Sequence, residues 1–118
     1  MKYMLLIHQG DTPTPGTEAW DGLSQEEQQA VYAAYGSINQ TPGVTPGVRM
    51  ESPELATTVR VEDGRTLTTD GPFVAIKEAL GGYLVYEADD LDAAIELAAR
   101  IPAARMGGAV EVRPIVEW

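Results

Sequence analysis

The sequence has no cysteine and a single histidine, His8, among its 118 residues. Without thiols there is no disulfide framework, no cysteine nucleophile and no thiolate metal site, and one imidazole leaves the commonest histidine clusters unmade. A protein with no metal and no cofactor is the expectation. Cations are also scarce: eight Lys and Arg against eighteen Asp and Glu give a formal charge of −10. That charge repels phosphate backbones and anionic lipid headgroups, so neither nucleic acid nor membrane is an expected partner. Long hydrophobic runs are missing as well. No stretch approaches the roughly 18 apolar residues of a membrane span, and the apolar opening at 1–7 is too short for a signal core. It runs straight into His8, Gln9 and Asp11. A cytoplasmic location is therefore expected. What remains is ordinary globular composition, 44% hydrophobic and 22% charged. A chain of 12.7 kDa buries about two-thirds of its surface on folding, enough for one core. No repeat or linker divides it, so residues 1–118 read as a single domain.

The pattern along the chain gives the elements. Residues 2–8 (KYMLLIH) are almost continuously apolar, which suits a central strand covered on both faces. Residues 9–22 are rich in Asp, Thr, Pro and Gly and read as a loop or flap. Ser24 with Glu27 makes a capping box, and Ala30, Val31, Ala34, Tyr35 and Ile38 follow at helical spacing, predicting a helix over 24–39. The run TPGVTPG at 41–47 stops it, with a short strand expected around 48–51. Segments 57–62 and 65–69 flank Asp63-Gly64, the strongest short hairpin signal, with Val59, Val61 and Leu67 as the inward side chains. Residues 80–87 (LGGYLVYE) form a further strand, whose paired glycines imply a bulge or a close backbone approach. Asp89 or Asp90 caps a second helix with an apolar stripe of Leu91, Ala94, Ile95, Ala98 and Ile101. The alternation in 109–118 predicts a last strand, placed at an edge or interface by Pro114.

This order is an α+β fold: a ferredoxin-like split βαβ plan with an inserted hairpin, its antiparallel sheet carrying both helices on one face. Strands such as 57–62 and 83–86 offer apolar side chains in both directions. The open sheet face then needs a partner, and a homodimer is the natural solution. Tyr83 and Tyr86 read as core or interface aromatics, and Trp118 as an interface residue.

The run Asp70-Gly71-Pro72-Phe73, followed by Lys77-Glu78, by LGGYLVYEADDLDAAIELAAR at 80–100 and by GGAVEVRPI at 107–115, resembles the DGPF branch of the YCII-related family. The resemblance covers essentially the whole chain, with several motifs in the right order. It implies a dimeric α+β barrel built from ferredoxin-like protomers, and it carries no assigned reaction. In wider relatives a His and Asp pair is proposed as an acid–base dyad, with the His on the first helix. Here segment 24–39 has no histidine.

Asp70 has two readings. It either hydrogen-bonds its own turn backbone, or serves as a general base or substrate-binding carboxylate with Phe73 as apolar neighbour. His8, at the end of the first strand, is either a satisfied structural residue or the partner that the first helix lacks. Lys77 and Glu78 point to opposite faces of an extended segment. They are either solvated charges or part of a pocket in which Lys77 anchors an anionic substrate. Arg113 either pairs with Glu111, two residues earlier on the same strand face, or binds a carboxylate.

Three functions follow. The first is a small cofactor-free enzyme performing acid–base chemistry on a small anionic or aromatic metabolite near the DGPF turn, with Asp70 and His8 as its catalytic pair. The second is a non-catalytic ligand-binding or regulatory dimer, since members of the branch occur beside or fused to alternative sigma factors. The third is a purely structural dimer. An enclosed polar cavity at Asp70 separates the first two from the third.

Overall fold

The first strand, β1 (Lys2–His8), buries Tyr3, Leu5 and Ile7 on one face and turns Met4, Leu6 and His8 to the other, as the two-residue repeat of a strand requires. It is flanked on both sides in a four-stranded antiparallel sheet of order β2-β5-β1-β6, built from Val44–Arg49, Leu80–Glu87 and Ala109–Pro114 around it. The computed structural model describes residues 1–74 and 79–117. Lys77, Glu78 and Trp118 lie outside the described residues.

Three helices follow from local signals. In α1 (Glu18–Asp21) Thr17 caps the first turn, and in α2 (Gln25–Asn39) Ser24 and Glu27 close the expected capping box at 3.1 Å in both directions. Asp90 caps α3 (Leu91–Ala99) by accepting from the Ala93 N–H. Ile38 of α2 and Ala94, Leu97 and Ala98 of α3 share one cluster with Tyr3, Leu5, Ile7 and Leu84. Both long helices therefore cover the same sheet face, as the split βαβ plan demands. No helix among the described residues is long and apolar enough to cross a membrane.

The structure corrects several expectations. The loop at 9–22 contains α1 and is tied down by Trp20, which is buried, stacks edge-on against Tyr32 at 5.3 Å and gives its carbonyl to Gln28. The strand expected at 48–51 starts earlier, at Val44, and tolerates Pro46 through a register shift between Thr45 and Val48. On α3 the buried face is Ala94, Leu97 and Ala98, while Leu91 and Ile95 are about half exposed at 48% and 49%. The expected bulge is present: the register shifts where His8 pairs with Leu80, opposite Gly81. Pro114 ends the edge strand β6.

The largest correction concerns the hairpin. Strands β3 (Thr57–Glu62) and β4 (Arg65–Asp70) pair through a two-residue link with Asp63 at φ 51° and Gly64 at φ 75°, the geometry of a primed turn. They form a separate two-stranded sheet. Val59, Val61 and Leu67, expected to face inward, are 59%, 67% and 43% exposed. The register also splits the set: Val59 and Val61 share one face with Thr68 and Thr66, while Leu67 lies on the other, opposite Arg60, and all three stay exposed among the described residues. The radius of gyration, 16.1 Å, exceeds the roughly 13.5 Å expected for this length, and the exposed surface of 7996 Å² exceeds the roughly 6,200 Å² expected for this mass.

Candidate functional site

The chain leaves β1 at His8 and passes over the ends of its neighbours. The Gln9 N–H donates to the Ala79 carbonyl at 3.3 Å, the Asp11 N–H to Gly107 at 3.2 Å and the Thr12 N–H back to Gln9 at 2.8 Å. Gly81 makes this path possible. A Cβ there would lie 2.3 Å from Cγ of Gln9, so only glycine lets the Gln9 side chain lie across the strand.

Asp70 arrives from the other side as the last residue of β4, opposite Thr57. The turn after it is locked by the Gly71 N–H on the Ala56 carbonyl at 2.6 Å and by the Thr58 hydroxyl on the Gly71 carbonyl at 2.8 Å. Gly71 has φ 98°, where a side chain would be strained. The Asp70 carboxylate takes no part in these bonds.

Between the foot of the hairpin and the Gln9 turn lies a cleft of about 1250 Å³, lined by Asp70 to Pro72, by Gln9, Gly10 and the 14–17 segment, and by Arg49 to Glu54. Its charged walls are Asp70, Glu51, Glu54 and Arg49. Glu54 is already engaged by the Ser52 hydroxyl. Arg49, at the end of β2, donates to the Pro15 carbonyl at 3.0 Å and so pins the 14–17 segment to the sheet. The sequence pointed to Asp70 through its motif but not to Arg49, which follows a Pro- and Gly-rich run and carries no motif of its own. Its one signal was rarity, as a cation in a chain with eighteen acids.

The other candidates are placed elsewhere. His8 faces the helix-free side of the sheet, with Nε2 3.4 Å from Glu111 Oε1. Arg113 hydrogen-bonds the other oxygen of Glu111, the pairing that their spacing on one strand face suggested. The Glu111 carboxyl is held below its usual range, chiefly by the hydrogen bond from Arg113, with His8 adding to the effect. Phe73 is 70% exposed, with the Arg60 guanidinium 4.9 Å above its ring. The structure thus joins His8, Glu111 and Arg113 in one group on the open sheet face and sets Asp70 apart in the cleft. No group of three or more His, Cys, Asp or Glu among the described residues is arranged to hold a metal ion.

Comparison with known proteins agrees with the motif reading. An uncharacterised protein of Rhizobium meliloti is 29% identical over 120 residues, covering 98% of this chain and 92% of that protein. The model of the YCII-related domain matches residues 1–118. From its first residue to its last, this chain belongs to the YCII-related domain family.

Proposed function

We propose that this YCII-related protein works as a cofactor-free homodimer performing acid–base chemistry on a small anionic or aromatic metabolite, with Asp70 as the proton acceptor. The observation that carries the reading is the position of the Asp70 carboxylate. It lines a cleft of about 1250 Å³, while other groups lock its turn. A carboxylate with no part in the turn's hydrogen bonds, set in a cleft, is free to take a proton from a bound molecule. Arg49 is the one cation among the described residues lining the cleft and attracts an anion into an otherwise acidic surface. From the sequence, Lys77 joins it as a second anchor, with Glu78 and Phe73 at the margin. His8 and Arg113 belong to the open face on which a second copy packs.

A second reading is a regulatory dimer that binds its ligand in the same cleft without chemistry. The exposure of Asp70 favours it, since proton transfer profits from a site that excludes water.

A thermal-shift screen of small organic acids and aromatic metabolites finds the ligand first, because saturation at 100 times Kd adds about 2.7 kcal/mol. Titration of wild type, Asp70→Asn and His8→Gln follows. Acid–base chemistry at Asp70 predicts a loss of turnover of about 10²-fold or more in Asp70→Asn. Tight binding with no turnover in any protein selects the regulatory reading. Equal affinity and turnover in wild type and Asp70→Asn removes Asp70 from the site.

A further inference from the structure

A second, smaller cavity of about 220 Å³ lies on the helix side of the sheet, beneath α2 and behind the 12–15 segment. Ile7, Val31, Leu84 and Pro102 give it apolar walls. An apolar cavity of about 150 Å³ already admits a benzene ring, so this one has room for a ring carrying one small substituent. Polar groups line it as well, Arg49 and Tyr35 among them. Arg49 lines it as well as the larger cleft, and one guanidinium N–H is used on the Pro15 carbonyl out of the five the group offers. Tyr35 lines it too, half-buried, and burial raises its phenol above the usual range against the pull of Arg49, which keeps the hydroxyl a proton donor at neutral pH.

We propose that this cavity binds a small aromatic or branched aliphatic monocarboxylic acid, its apolar body against Val31, Leu84 and Pro102 and its carboxylate on Arg49, with the Tyr35 hydroxyl adding a hydrogen bond. A planar guanidinium matches a carboxylate with two parallel hydrogen bonds. A neutral amide of the same shape carries no charge and offers the guanidinium one acceptor oxygen in place of two, its NH2 meeting a donor-only group, so the site discriminates by chemistry as well as by size. The net charge of −10 makes Arg49 the element without which an anion has no reason to enter. This binding stands whether or not Asp70 transfers a proton.

Calorimetric titration of the folded chain with benzoate, benzamide and acetate tests it. Benzoate binds saturably, benzamide about tenfold or more weakly, and acetate, which lacks the apolar body, gives no measurable binding. Arg49→Gln lowers benzoate affinity about tenfold or more and abolishes the preference over benzamide, and Arg49→Lys recovers part of it. Val31→Phe fills the cavity and removes benzoate binding, with circular dichroism reporting that the fold is kept. Asp70→Asn keeps benzoate affinity within about threefold, and Val31→Phe separates this cavity from the Asp70 cleft, which Val31 does not line. Absence of saturable benzoate binding at millimolar concentration, or unchanged affinity in Arg49→Gln and Val31→Phe, overturns the proposal.

Discussion

Among single residues, Glu111 shows how a surface charge answers to its neighbours. Its carboxyl is lowered first by the hydrogen bond from Arg113, so the folded chain prefers the ionised form more than the unfolded chain does. The stabilisation is present above the unfolded carboxylate pKa and disappears as pH falls through the lower, folded value. Arg113→Ala is expected to move the Glu111 titration, followed by NMR, up toward the usual carboxylate range, and added salt to do the same in part. An unmoved titration contradicts the pairing. Gly108 makes the opposite kind of demand, one of space. A Cβ there would sit 2.3 Å from the His8 carbonyl oxygen and 2.6 Å from that of Gln9. Both are backbone atoms, so Gly108→Ala is expected to cost about 1–3 kcal/mol in chemical denaturation; a neutral result would mean that the crossing is looser than described. The Glu111 and Arg113 pairing was legible because two residues on one strand face are neighbours whatever the fold. Arg49 and Tyr35 were not legible as a pair, because only the antiparallel sheet and the helix above it bring them to one cavity.

At the level of elements, the sequence was most readable where the signal was local. The capping box of α2, the link at Asp63-Gly64 and the bulge at Gly81 each depend on a few adjacent residues and stand where expected. Ser24→Ala removes the acceptor for the Glu27 N–H and is expected to lower stability by about 1 kcal/mol in urea denaturation. Gly64→Val leaves open space around the new side chain but forces φ 75° on a β-branched residue. The expected cost is about 1–3 kcal/mol, and neutrality would contradict the primed turn. What was not readable depended on the surroundings of an element. α3 carries apolar residues on most of its circumference, so periodicity alone placed Leu91 and Ile95 inside and left Leu97 out, the reverse of what the sheet contacts require. The hairpin failed for the same reason: Val59 and Val61 share a face by alternation, but alternation does not say what lies against it.

The whole molecule is wider and thinner than a chain of its size folding alone, 50 × 42 × 18 Å, and a two-stranded sheet standing by itself is marginal in water. Met4, Leu6, Tyr83 and Val85 lie on the sheet face opposite the helices. Val59, Val61, Leu67 and Phe73 add exposed apolar area on and beside the arm. Monomers seldom leave so much apolar surface to water. The proposed homodimer, with a second copy packed on the open face, would give that surface a partner. The central claim, that this chain functions as a pair, is tested most directly by its mass in solution, measured by light scattering over a dilution series into the low micromolar range. The account predicts twice 12.7 kDa, unchanged on dilution; a mass of 12.7 kDa at every concentration would contradict it.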